Sequence, residues 1–174
     1  MFSNKFTLKV ITTFVVVFSL ASCSDDQAIT QVIEPPKVMP QKVVLDVYKS
    51  PSCGCCKKWI SHINDNGFAS KVHSFDDFPA IKDEKGIEPR YRSCHTAISN
   101  EGYVFEGHVP AKFIHQFMQE THKDDVIGLS VPAMPVGTPG MEVENKFQPY
   151  KVLLLKQNGS YETYANVQSY EEQF

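Results

Sequence analysis

Cys53, Cys55 and Cys56 fall within four consecutive positions, Cys53-Gly54-Cys55-Cys56, and a fourth thiol, Cys94, lies far along the chain in Arg92-Ser93-Cys94-His95-Thr96. A thiolate is both the nucleophile of disulfide exchange and a soft metal ligand, so this grouping implies redox exchange, soft-metal binding, or both. On a first helical turn Cys53 and Cys56 share a face, whereas Cys55 points about 100° away from Cys56. Three neighbouring thiolates so placed, with a remote fourth, suit bridging several ions better than filling one tetrahedral site. Thiolates favour Cu(I) and Zn(II), and thioethers favour Cu(I) in particular. Met134 and Met141, in a proline- and glycine-rich stretch, are therefore candidate ligands, although a loop methionine is also an ordinary apolar plug.

The elements that must position these residues are legible as pattern. The apolar run Val43–Tyr48 reads as a buried strand, and Lys57–Asn66 carries Trp59, Ile60 and Ile63 at helical spacing, closed by Gly67. Phe68–Phe75 reads as a second strand with Val72 buried. Asp76 or Asp77 can cap a second helix through Ile81 to about Lys85, stopped by Gly86. Thr96–Ile98 and Tyr103–Phe105 form a hairpin around Asn100-Glu101-Gly102, and Pro110 opens a third helix with Phe113, Ile114, Phe117 and Met118 on one face. The stretch from Gly128 to Glu142 reads as a shaped loop in which Pro132 or Pro135 could be cis. A second hairpin joins Tyr150–Lys156 to Tyr161–Ala165 through Asn158-Gly159. This order predicts an α/β, thioredoxin-like domain over residues 42–168, with the hairpin and helix from Thr96 to Thr121 inserted and residues 169–174 as a tail. In such a domain the helix N-terminus lowers the pKa of a thiol placed on it.

Residues 1–22 have the order of a signal peptide: Lys5 and Lys9, an apolar run from Val10 to Leu20, then small residues. The run is too short, and too broken by Thr12, Thr13 and Ser19, to span a bilayer core of about 30 Å. Leu20-Ala21-Ser22-Cys23 resembles the bacterial lipobox, which implies that Cys23 is lipidated, and Ser24 after it implies sorting to the outer membrane. The alternative is a plain secretory signal with an incidental cysteine. Residues 23–41, with Pro35, Pro36 and Pro40, read as a tether. Removing the leader alone leaves about 150 residues, enough for a single core without a disulfide scaffold. A net charge of −3 supplies no basic stripe, which excludes nucleic acid as a partner. There is no Ser-His-Asp order, phosphate loop or His-Glu-x-x-His pattern.

Four ordered blocks carry a family resemblance. They are Tyr48-Lys-Ser-Pro-Ser-Cys53-Gly-Cys-Cys-Lys-Lys-Trp59, Ser93-Cys94-His95-Thr96-Ala97, Glu106-Gly107-His108-Val109-Pro110-Ala111 and Val131-Pro-Ala-Met-Pro-Val-Gly-Thr-Pro-Gly-Met141-Glu142. Together they resemble the predicted metal-binding, thioredoxin-like family that includes the bacterial copper-resistance protein CopG, over roughly Lys42 to Ala165. The resemblance implies a periplasmic copper-binding protein with a cysteine-bridged copper cluster able to cycle between Cu(I) and Cu(II). It points to Cys53, Cys55, Cys56 and Cys94 as copper thiolates, with His108 next and His95 as a ligand or as a group that orients one. It also implies periplasmic copper chaperones or exporters as partners. The lipobox departs from many relatives, which look soluble. His62, His73, His115 and His122 lack ligand spacing, and Trp59 is expected to pack under the thiol turn.

Three function classes compete. Copper handling accounts for the extra thiol, Cys94, the histidines and the methionine loop together. A thiol-disulfide oxidoreductase, with Cys53 attacking and Cys56 resolving, accounts for the Cys-x-x-Cys pair but leaves Cys55 as a source of mispairing. A structural Zn(II) site or a pair of structural disulfides needs only four cysteines, yet adjacent Cys55 and Cys56 fit a zinc knuckle poorly.

Overall fold

The computed structural model of the chain describes residues 42–77 and 79–174. The expected signal peptide, the Cys23 acylation site and the 23–41 tether lie outside the described residues.

Strand β1, Val43–Lys49, buries Leu45, Val47 and Lys49 on alternate positions, as one face of a pleated strand must. Helix α1, Gly54–Asp65, starts three residues before the expected Lys57 because the Cys53 side chain caps it, accepting the Cys56 amide at 3.3 Å. It buries Cys56, Trp59 and Ile63, and the chain leaves it at Gly67 with φ +92°. Strand β2, Phe68–Ser74, runs parallel to β1 as the outermost strand. Val72 is therefore 46% exposed and not buried as expected, because an edge strand is shielded by a single neighbour. Helix α2, Pro79–Glu84, is short and buries Lys82.

Strands β3, His95–Ser99, and β4, Val104–Gly107, form the first hairpin, and helix α3, Ala111–Gln119, follows Pro110 with Phe113, Ile114 and Phe117 buried. Strand β5, Val126–Val131, pairs parallel to β4, and β6, Tyr150–Lys156, and β7, Tyr161–Val167, complete the sheet. The sheet order is β2-β1-β3-β4-β5-β6-β7.

This mixed α/β architecture departs from the sequence reading in four further places. The first hairpin is no insertion: β3 lies directly against β1 in the middle of the sheet, and the late hairpin occupies the far edge. The first four residues of the expected loop, Gly128 to Val131, belong to strand β5, where Gly128 at φ +144° is obligatory, since a Cβ there would lie 1.9 Å from the Val104 carbonyl oxygen. The described residues contain no cis peptide, so Pro132 and Pro135 are trans. Residues Tyr170–Gln173 form a 3₁₀ turn and not a loose tail: Gln173 is buried, accepts the Tyr150 hydroxyl at 2.7 Å and donates to the Gly137 carbonyl at 3.0 Å. The chain end thereby braces the proline-glycine loop.

Alternation along the strands creates two apolar layers. Phe105 and Val152 join Leu45, Trp59, Ile114 and Phe117 in the larger one, whereas their neighbours Val104 and Leu153 join Ile87 and Tyr91 in a smaller one on the other face. Helices α1 and α3 cover the first face, and the segment after α2 covers the second.

Candidate metal centre

The turn after β1 closes with the Cys53 amide donating to the Ser50 carbonyl at 3.2 Å, which delivers Cys53 to the N-cap of α1. One helical turn then brings Cys53 and Cys56 together, with Cα atoms 5.4 Å apart, and the two are joined by a disulfide. Cys55 remains a free thiol, its Sγ 3.5 Å from that of Cys53. The antiparallel register Lys49↔His95 places the residue before β3, Cys94, alongside this turn. The Cys94 and Cys55 sulfurs are 3.9 Å apart, and the Cys56 sulfur lies 3.7 Å from the Cys94 carbonyl oxygen. All four cysteine sulfurs lie within 4.8 Å of one another.

A second donor set shares Cys94. Its sulfur is 3.3 Å from His95 Nδ1 and 3.1 Å from His108 Nε2. Nδ1 of His108 is 2.8 Å from the Pro139 carbonyl oxygen, which can only accept, so that nitrogen carries the proton and Nε2 presents its lone pair to Cys94. His95 is fully buried, with its ring 4.3 Å from that of Trp59, and among the described residues its Nε2 finds no hydrogen bond of normal geometry. Trp59 in turn donates its indole N–H to the Val109 carbonyl at 2.9 Å, fixing the residue next to His108.

Burial holds both imidazoles below the usual histidine range, for His95 well below it, and so favours the neutral form, the one in which an imidazole can ligate. Burial, followed by the neighbouring Cys55, pushes the Cys94 thiol up to about 12. A metal ion that takes Cys94 as a thiolate therefore displaces a proton.

The structure thus brings Cys53, Cys55, Cys56 and Cys94 into one donor set, and Cys94, His95 and His108 into a second that shares Cys94. Met134 is 47% exposed on the proline-glycine loop, and Met141 is half-buried at its far end. Between them, Gly140 packs so closely on α1 that a Cβ would lie 2.8 Å from the Cys55 carbonyl oxygen and the Trp59 nitrogen. The remaining histidines have local partners. His62 accepts the Ala111 amide, His73 meets Asp46, and His115 and His122 bond the carbonyls of Asn66 and Phe117.

Two charged residues that the sequence reading passed over stand directly behind Cys94. Glu106 and Lys82 are buried and form an ion pair with Oε1 and Nζ 2.5 Å apart. A carboxylate inside the block that also holds His108 was the available sign. Burial raises the Glu106 carboxyl and lowers the Lys82 ammonium, with each partner acting against that shift in the other.

The family described as "Protein of unknown function, DUF411" matches residues 91–141. The chain is similar to the solved structure "Copper resistance protein copG- Form 2", with 37% identity and a TM-score of 0.68, over 74% of this chain and all of that one. The chain belongs to the CopG family. The Form 1 structure of the same CopG protein matches over the same shares at 36% identity and the same TM-score. Comparison with curated proteins gives no match. The family-model segment spans the stretch that contributes Cys94, His95, His108, Met134 and Met141.

Proposed function

We propose that this chain is a copper-binding protein of copper resistance or homeostasis that holds Cu(I) through Cys53, Cys55, Cys56 and Cys94 in a polynuclear thiolate cluster. The observation that carries the reading is the convergence of four sulfurs and two neutral imidazoles in a chain whose relative is a copper resistance protein. The donor set fits the ion: thiolate is the softest protein ligand and selects Cu(I), while imidazole extends the site to Cu(II). Redox cycling between the two states is thus within reach of the same residues. His108 and His95 complete the set, and Met134 and Met141 serve as thioether ligands at its margin. Copper is the cargo, received from or passed to periplasmic chaperones or exporters. The leader and lipobox-like Cys23 support a periplasm-facing protein anchored by lipid, in the outer membrane in preference to the inner.

The fold reading accompanies this. The order β1-α1-β2-α2-β3-β4-α3, with sheet order β2-β1-β3-β4 and a Cys-x-x-Cys pair at the start of α1, supports a thioredoxin-like unit to which β5, β6 and β7 are added.

An anaerobic Cu(I) titration of the reduced chain against a competing chelator, with a parallel Zn(II) titration, tests the function. More than one Cu(I) per chain, with stoichiometry cut by Cys94→Ser, is the expected result. Single weak binding that ignores Cys94 would sink the cluster.

One observation favours a second reading: Cys53 and Cys56 are already joined as a disulfide at a helix N-terminus. As a thiol-disulfide oxidoreductase the chain would lose reductase activity in Cys53→Ser and keep it in Cys94→Ser.

A further inference from the structure

Glu106 is fully buried, yet it is an ionisable carboxylate, and each of its oxygens is engaged. It sits on β4 directly across the ladder from Thr96 of β3. Oε1 accepts the Ser93 backbone N–H at 2.6 Å and the Lys82 ammonium at 2.5 Å, and Oε2 accepts the Thr96 hydroxyl at 2.7 Å. Lys82 also donates to the Thr96 oxygen at 2.8 Å.

These partners have a specific relation to the metal centre. Ser93 and Thr96 bracket Cys94 and His95, so one carboxylate grips the backbone before these two donors and the side chain after them. Gly107 permits the grip: at φ +75°, a Cβ there would lie 2.5 Å from the Ser93 Cβ and 2.6 Å from the Val131 carbonyl oxygen. The Ser93 hydroxyl reaches the Ala133 carbonyl on the proline-glycine loop, which ties that loop to the same point.

Fold stability alone is a poor reason for this arrangement. Burying two ions carries a heavy desolvation cost, and an apolar pair of similar volume often serves a core as well or better. An apolar pair cannot accept the Ser93 N–H. We propose that Glu106, oriented by Lys82 and Thr96, is a positioning residue of the metal centre that holds Cys94 and His95 in ligating geometry before the ion arrives. The inference rests on the copper-binding reading, and its physical basis is that groups behind a ligand set the ligand's orientation and so the affinity of the site.

Two charge-free double variants separate anchoring from charge. Lys82→Met with Glu106→Gln keeps an oxygen for the Ser93 N–H, and Lys82→Met with Glu106→Leu removes it. Neither leaves a lone buried ion. Each full-length, reduced chain is titrated anaerobically with Cu(I) against a chelator. The intensity of the ultraviolet thiolate-to-copper charge transfer is read per bound copper, and thermal unfolding of the metal-free chain is followed in parallel. The Leu variant is expected to lose about 10- to 100-fold in affinity, with weaker charge transfer, while the Gln variant stays close to wild type. Wild-type affinity in the Leu variant overturns the inference, and so does an equal loss in both variants, which would assign the effect to charge. Should the Leu variant unfold early, Thr96→Val removes one arm of the grip only: reduced affinity supports the inference and unchanged affinity overturns it. A wild-type chain that binds no Cu(I) overturns the copper reading and this inference together, whereas the outcomes above overturn this inference alone.

Discussion

The imidazole of His108 bridges the Cys94 thiol, 3.1 Å from Nε2, and the Pro139 carbonyl, 2.8 Å from Nδ1. One ring thus connects the end of the first hairpin, the segment before β3 and the proline-glycine loop. Because the carbonyl fixes which nitrogen carries the proton, the nitrogen facing Cys94 is the one free to ligate.

His108→Ala is accordingly expected to weaken copper binding by about tenfold or more, the scale on which even outer groups of metal sites act. Chelator competition measures it. Retention of full affinity would remove His108 from the ligand set.

Oxidation is expected to lower copper capacity. Joining Cys53 to Cys56 withdraws two of the four clustered sulfurs and leaves Cys55 and Cys94 as the free thiols among the described residues. In a Cys23→Ser chain, a thiol reagent should count two thiols before reduction and four after it. Cu(I) uptake should rise between the two states. Equal uptake in both would show that Cys53 and Cys56 are not ligands.

Gly140→Ala is expected to cost about 1–3 kcal/mol for backbone conformation alone, since φ is +90° there, with the close approach to Cys55 and Trp59 adding to it. The displaced loop carries the Pro139 carbonyl, so copper affinity should fall as well. Urea unfolding and the same titration read the two effects, and wild-type behaviour in both would show that the loop does not brace the centre.

Much of the scaffold was readable from sequence because its signals are local. The apolar run of β1, the spacing of Trp59 and Ile63, and the Asn158-Gly159 turn each identify their element without help from the rest of the chain. Strand neighbours are not local, so the expected insertion proved to be central: nothing in the order of the segments states that β3 lies against β1. Strand β5 was hidden because Gly128 and Ser130 interrupt the apolar alternation and prolines follow. At the site, the thiols and both histidines were visible as residue types with known ligand chemistry. Glu106 and Lys82 were not, because a glutamate in a hairpin and a lysine on a short helix read as solvated charges until tertiary packing buries them together.

The edge of the sheet supplies a pH prediction away from the metal centre. His73 Nε2 lies 2.6 Å from Asp46 Oδ1, and this hydrogen bond, with Lys71 beside it, holds the Asp46 carboxyl below its ordinary 3.8 despite some desolvation. A depressed carboxyl stabilises the fold above its unfolded pKa and loses that contribution as pH falls through the folded value. Asp46→Asn should therefore flatten the acid limb of the melting temperature as pH falls below the ordinary carboxyl value of 3.8. An unchanged acid limb would show that the pair contributes nothing measurable.

The donors reach the centre from separated stretches of chain. Cys94 meets Cys56 across 38 residues, and Pro139 meets His108 across a further 31. Such long-range pairings carry a high entropic cost, because loops must close before the contacts that reward closure exist. A newly made chain carries the same sulfurs in interchangeable positions, and copper arriving then would link whichever ones it met. On the copper-binding reading the order of assembly would itself be a filter: an ion would find this donor set only once the middle strands of the sheet had joined, and one bound earlier would hold the chain away from its native pairing.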